Sequence, residues 1–171
     1  MNPCASYFSR LSRSFVGLFL LLGLGFGAAS AAQELRPFDA KSLSAIRDAS
    51  QAKPFILAFW SLHCAPCKDE MPLFKALQAK YPSMRIVLVA TDDVDEHPAV
   101  LKFLAKHQLE GIESWAFADE FAERVRFSVD KAWRGELPKT YFFDRDHKAT
   151  VQTGKLELPT VEAWIATVEG K

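Results

Sequence analysis

The run Phe55-Ile56-Leu57-Ala58-Phe59-Trp60 is apolar at every position, and four residues beyond it Cys64-Ala65-Pro66-Cys67 opens a helical pattern. A six-residue run without polar alternation fits a strand covered on both faces, so the chain must supply helices to both sides of a sheet. The two cysteines then stand at the carboxyl edge of that strand, where α/β folds build their sites. Backbone N–H groups at a helix start have no intrahelical partners and carry partial positive charge, which stabilises a thiolate there. Cys64 is therefore the candidate attacking sulfur. About one turn on, Cys67 comes round beside it, close enough to close a disulfide and release whatever Cys64 has captured.

Zinc sites and structural bridges also use a CxxC. Zinc needs further ligands, yet the chain has no second Cys pair, and His63, His97, His107 and His147 lack the spacing of a finger. A bridge closing so short a loop removes little unfolded-state entropy, and Pro66 at a helix start points to exchange chemistry instead.

Arg10 and Arg13 precede a charge-free apolar run over 15–26, followed by small residues over 27–32 in which Ala29-Ser30-Ala31 fits a cleavage pattern. Residues 1–32 are thus expected to be a signal peptide or an N-terminal membrane anchor, with one domain over 33–171. The anchor alternative rests on the length of 15–32, near the roughly 17 apolar residues that span a bilayer. Either way the domain is expected in the periplasm or at the outer face of the cytoplasmic membrane. Cleavage after Ala31 or Ala32 removes Cys4 and leaves Cys64 and Cys67 as the only thiols. Cys4 lies before the apolar stretch and not at its end, which argues against lipidation.

Charge excludes more than it assigns. The chain carries 21 basic and 21 acidic side chains, and loss of Arg10 and Arg13 with the leader leaves 19 against 21. No basic stripe invites nucleic acid.

The remaining pattern predicts a helix over 40–50 capped by Asp39, a helix over 65–80 kinked at Pro72, and a second central strand over 84–90. A crossover helix over 98–107, an extended piece over 115–118 and a short helix over 119–127 follow. Strands over 140–144 and 149–153 form a hairpin, and a helix over 159–168 closes the chain. The sum is an α/β fold with a central sheet flanked by helices on both faces.

The segment Phe59-Trp60-Ser61-Leu62-His63-Cys64-Ala65-Pro66-Cys67-Lys68-Asp69-Glu70-Met71-Pro72 resembles the thioredoxin superfamily, and more closely its exported TlpA/ResA branch. That branch reads F-W-A-x-W-C-x-P-C-x-x-E-x-P and later V-P-x-T-x-x-I-D-x-x-G. Leu137-Pro138-Lys139-Thr140-Tyr141-Phe142-Phe143-Asp144 is similar to the second pattern. The resemblance implies a thioredoxin-like mixed sheet and a cis Pro138 against the disulfide, with Leu137 and Pro138 offering backbone to substrate. It implies that Glu70 relays a proton when Cys67 becomes a thiolate, and that Trp60 shields the sulfurs or packs in the core. Two departures stand out. Ala58 occupies the place where cytoplasmic thioredoxins have a buried aspartate, which raises the importance of Glu70. His63 replaces the tryptophan common before the first cysteine, and an imidazolium there would favour the Cys64 thiolate.

The activity implied is that of an extracytoplasmic thiol-disulfide oxidoreductase working by thiolate attack, mixed disulfide and resolution, without a cofactor. The branch favours a protein-disulfide reductase for exported proteins with cysteine pairs, of the cytochrome c or copper-protein maturation type. Such a reductase needs electrons from a membrane thiol donor, because the compartment is oxidising. A dithiol oxidant or isomerase is the alternative, with His63 its hint. A thiol peroxidase fits less well, since Leu57 stands where the P-x-x-x-T/S-x-x-C pattern needs proline, although Ser61 matches. A Cu(I) carrier using Cys64 and Cys67, with His63 contributing, is the last alternative. The segment 120–136, with Trp133-Arg134-Gly135, either shapes a partner groove or packs.

Overall fold

The computed structural model describes residues 34–170. The expected leader over 1–32, with Cys4, lies outside them. Among the described residues no helix is long and apolar enough to cross a membrane.

In chain order the elements are β1 (Arg36–Phe38), α1 (Ser42–Ser50), β2 (Phe55–Trp60), α2 (Ala65–Lys80) and β3 (Arg85–Ala90). A short 3-10 turn, Val94–Glu96, leads into α3 (His97–Lys106), β4 (Glu113–Phe117) and α4 (Ala122–Val129). The chain closes with β5 (Lys139–Phe143), β6 (Ala149–Thr153) and α5 (Leu158–Glu169). The six strands form one mixed sheet in the order β1-β4-β3-β2-β5-β6. The first four are parallel, and β5 and β6 run antiparallel as a hairpin. Prolines stand in the first turns of α2, α3 and α5, where the missing N–H costs no hydrogen bond.

The unbroken apolar run of β2 is explained by its central place. Ile56, Ala58 and Trp60 face α2, α3 and α5, packing with Met71, Phe74, Leu77, Leu104 and Ile165. Phe55, Leu57 and Phe59 face the other way, against Ile46 of α1 and Val125 of α4. Period-two alternation therefore serves two cores at once. All six β2 residues are buried, whereas β6 at the edge is mostly exposed.

The boundaries differ from the sequence-based expectations for local reasons. β1 was not anticipated: three residues with only Phe38 buried carry no readable period, and its place comes from pairing Phe38 with Phe117 of β4. Helix α1 begins at Ser42, and Asp39 is not its cap. The Asp39 carboxylate instead accepts from the Lys41 N–H at 2.8 Å and the Ser42 hydroxyl at 3.0 Å, folding a turn ahead of the helix. Asp119 does the same to the Phe121 N–H at 2.9 Å, which delays α4 to Ala122. Helix α2 runs as one element through Pro72, which lies on its exposed side.

Candidate active site

β2 delivers the chain to the sheet's carboxyl edge, where the Trp60 carbonyl accepts from the Thr91 N–H at 2.9 Å and so holds the ends of β2 and β3 together. Asp92 then ties the next two residues down. Its Oδ1 accepts from the Ser61 hydroxyl at 2.8 Å and the Leu62 N–H at 2.9 Å, and Ser61 Oγ accepts from the His63 N–H at 3.0 Å. The loop entering the cysteines is thus fixed from the segment that leaves β3, thirty residues away.

Cys64 caps α2 in an extended conformation, and its Sγ accepts from the Cys67 N–H at 3.2 Å. This is the local reason a thiolate is favoured there: a free helix N–H already points at the sulfur. Cys64 and Cys67 are disulfide-bonded, with Cα atoms 5.3 Å apart. Their surroundings are unequal. Cys64 is half-buried and Cys67 fully buried in the core facing α2, α3 and α5, so an incoming sulfur meets Cys64 first.

Glu70 lies one turn beyond Cys67 on the buried side of α2, a spacing that makes the two residues neighbours on one helix face. Only 1% of the residue is exposed. Its Oε2 accepts from the Leu156 N–H at 3.0 Å, in the loop between β6 and α5, while Oε1 is buried without a hydrogen-bond partner among the described residues. Burial pushes the carboxyl up to about 7, against the smaller opposing effects of the Leu156 N–H and the Lys155 charge. A carboxyl with that value changes protonation near neutral pH, and its free oxygen gives a proton somewhere to go.

The Leu137–Pro138 peptide bond is cis. Pro138 is buried, and Leu137 touches both cores. Trp60 is 1% exposed and packs against Phe103 with ring centroids 5.2 Å apart. Its indole packs in the core, one of the two roles the resemblance implied, and exposes almost no surface to a substrate. Trp133 likewise packs, 4.6 Å from the Phe59 ring, and the chain turns at Gly135 with φ of 106°.

His63 has a partner that the sequence did not show. Its Nε2 meets Glu96 Oε1 at 2.6 Å, and its side chain is 73% exposed. The Glu96 carboxylate holds the imidazole pKa above its ordinary value, and His63 holds Glu96 below its own. The positive charge expected to favour the Cys64 thiolate is therefore accompanied by a negative one. Asp92 joins these two: His63, Asp92 and Glu96 bring ligand-type atoms within 4.8 Å of one another, the one such grouping among the described residues able to hold a metal ion. Burial raises the Asp92 carboxyl against its hydrogen bonds from Ser61 and Leu62. Asp92 and Glu96 carry no sequence signal, since neither belongs to a motif and both reach the site through long-range contacts.

Comparison with known proteins agrees with this geometry. Residues 31–152 match the family model described as AhpC/TSA family. Thioredoxin H5 of Oryza sativa subsp. japonica is 40% identical over 53 residues, 31% of this chain and 37% of that protein. The match thus spans little more than a third of that relative's length. Among solved structures, a secreted Mycobacterium tuberculosis disulfide oxidoreductase homologous to E. coli DsbE is similar with a TM-score of 0.58 and 22% identity, over 70% of this chain and 85% of that one. StoA from Bacillus subtilis gives 0.53 and 20%, over 67% and 84%. A thiol:disulfide interchange protein DsbE from Chlorobium tepidum gives 0.57 and 21%, over 71% and 83%. These likenesses establish the thioredoxin-like fold.

Proposed function

The chain belongs to the AhpC/TSA family, and from the site it carries we propose that it is a thiol-disulfide oxidoreductase whose preferred direction is reduction of protein disulfides outside the cytoplasm. One observation carries the reading: a half-buried sulfur at a helix start is bonded to a fully buried one, with a buried carboxyl one turn below.

In the reduced enzyme the Cys64 thiolate attacks one sulfur of a substrate disulfide. The Cys64–substrate bond forms, the substrate S–S bond breaks, and the other substrate sulfur leaves as a thiolate. Cys67 must then lose its proton in a dry setting, where a bare charge is costly. Glu70 takes that proton through its free Oε1, and the Cys67 thiolate attacks Cys64 Sγ. The second substrate thiol is released, the Cys64–Cys67 disulfide forms, and two electrons have passed to the substrate. Leu137 and Pro138, the cis pair leading into β5 alongside the end of β2, offer backbone to the extended substrate. A membrane thiol donor of the same exchange chemistry restores the dithiol.

The outward location is supported by the charged, apolar and small-residue pattern over 1–32 and by the similarity to a secreted disulfide oxidoreductase. Exported proteins with cysteine pairs, among them haem-attachment and copper-ligand cysteines, are the substrates this reading favours. A peroxidase is disfavoured because Leu57, where its pattern needs proline, is a fully buried mid-strand residue of β2. The test is capture in the native compartment by a Cys67→Ser variant, which should accumulate mixed disulfides through Cys64 with a small set of exported proteins. Accumulation of none, or capture through position 67 in a Cys64→Ser variant instead, would overturn the assignment of roles.

A further inference from the structure

Beside the loop that Asp92 ties to the cysteines lies a cleft of about 340 Å³ that the exchange chemistry does not use. It opens at the same sheet edge, between the segment leaving β3 and the segment leaving β4. Its walls are markedly one-signed: Asp92, Asp93, Asp95, Asp119 and Glu120 all line it. Of these only Asp119 has an ion-pair partner among the described residues, Arg124 at 2.6 Å. Asp93, Asp95 and Glu120 are exposed and have no ion-pair partner among the described residues.

A second observation is independent of that acidity. Asp92 is 3% exposed, and while its Oδ1 takes two hydrogen bonds, its Oδ2 is buried with no hydrogen-bond partner among the described residues. A buried carboxylate oxygen without a donor is costly, and a group that brings N–H donors into the cleft would relieve that cost. The cleft is not purely polar either. Phe117 and Ala122 line it, Val94 at its wall is 61% exposed, and Phe121 beside it is 59% exposed. An apolar floor with acids around it suits a long aliphatic stem carrying a cationic head, because lysine and arginine lay their methylenes on apolar surface and keep the charge among polar partners.

We propose that this cleft receives a lysine or arginine side chain of the polypeptide whose disulfide is exchanged at Cys64, and so selects substrates with a basic residue near the cysteine. The inference rests on the exchange reading above. Its geometric basis is short: Asp92 lines the cleft and also binds Leu62, two residues before Cys64, so one extended stretch of substrate reaches both. The field of the unpaired acids steers basic partners to the sulfur, and Val94 supplies apolar contact on arrival, while the Arg124 guanidinium lies 5.2 Å from the centre of the Phe121 ring.

The experiment uses two disulfide-bonded peptides identical except that one flanks its cysteine with lysine and arginine and the other with glutamate. At low salt the basic peptide should be reduced with kcat/KM at least about tenfold higher, and the ratio should fall to about two at half-molar salt. Replacing three exposed acids together, Asp93→Asn, Asp95→Asn and Glu120→Gln, should collapse the ratio below about threefold even at low salt. A cysteine-free copy of the basic peptide should also bind the oxidised protein in a fluorescence titration, and more weakly to the triple variant. Equal rates for the two peptides overturn the cleft proposal and leave the exchange reading intact. Exchange with neither peptide, alongside charge-dependent binding of the cysteine-free copy, breaks the exchange reading and leaves the cleft. A ratio unchanged in the triple variant overturns the assignment to these acids. So does peptide binding that is lost on adding EDTA, because the cation in the cleft is then a metal ion.

Discussion

The two cysteines share one motif but face different surroundings. On the inner side Cys67 and Glu70 sit in a dry core, where desolvation dominates and a carboxyl is driven up to about 7. On the outer side Cys64 follows His63, which pairs with Glu96 at the surface, so that charges there meet each other and water. The contrast explains how one dithiol performs two steps. The outer sulfur must meet a protein, which calls for access and a charge pattern. The inner sulfur must ionise only after capture, which calls for a proton acceptor out of solvent's reach.

The largest effect should come from exchanging serine for each sulfur. Cys64→Ser should lower disulfide reduction about a thousandfold or more, whereas Cys67→Ser should lose turnover yet trap substrate on Cys64. Limiting iodoacetamide with mass mapping of the reduced protein should label Cys64 alone. Labelling of Cys67 first would erase the distinction between inner and outer sulfur.

Glu70 sharpens the inner side next. Its folded value near 7 lies above the unfolded value of 4.5, so the native state holds more protons between them, and stability should fall as pH rises from 4.5 through 7. The loss should approach about 3 kcal/mol and then level off. Glu70→Gln should remove that pH dependence, leaving only a constant cost from its buried amide, and should flatten the pH profile of disulfide reduction. Urea melts from pH 4 to 8 decide it. A parent protein with flat stability across that window would mean that Glu70 does not ionise there.

Asp92 probes the outer side. Asp92→Ala leaves the Ser61 hydroxyl and the Leu62 N–H without their acceptor and should cost about 2 kcal/mol, while Asp92→Asn keeps an acceptor oxygen and should cost clearly less. Equal losses would show that the charge, not the two hydrogen bonds, holds the loop.

The smallest effect belongs to the His63–Glu96 pair. His63→Ala leaves an unmatched carboxylate near Cys64 and should make the disulfide less oxidising, while Glu96→Gln, measured below pH 6.5 where an unpartnered imidazole still carries its proton, leaves an unmatched positive charge and should make it more so. Each shift should stay under about threefold in the exchange equilibrium with glutathione, because His63 is exposed, Glu96 is half-buried, and water and salt reach and screen the pair. Shifts in the same direction would show that the two do not act on Cys64 as a pair.

Sequence periodicity read most of the scaffold because those features are local. A doubly covered strand must be apolar throughout, proline suits a first helical turn, and β6 was read at its exact span, 149–153. The cysteine pair was equally legible, since three residues of helix bring position 67 back to position 64 whatever else the chain does. The ends of α1 and α4 were misread because aspartate side chains there compete with the helix for the first N–H groups, a choice that propensity does not resolve.

What only the tertiary structure decided are the environments. The sequence by itself determined that two cysteines meet at a helix start and that a glutamate follows on the same helix. It did not determine that Glu70 is buried, because that depends on the Leu156 loop 86 residues away closing over it. Nor did it show that Asp92 holds the loop before Cys64, that Glu96 answers His63, or that Trp60 turns its ring to Phe103. Each of these joins residues about 30 or more positions apart. Local pattern fixes which chemistry is present, while desolvation and pairing, which set its proton affinities and its partners, are properties of what the fold brings alongside.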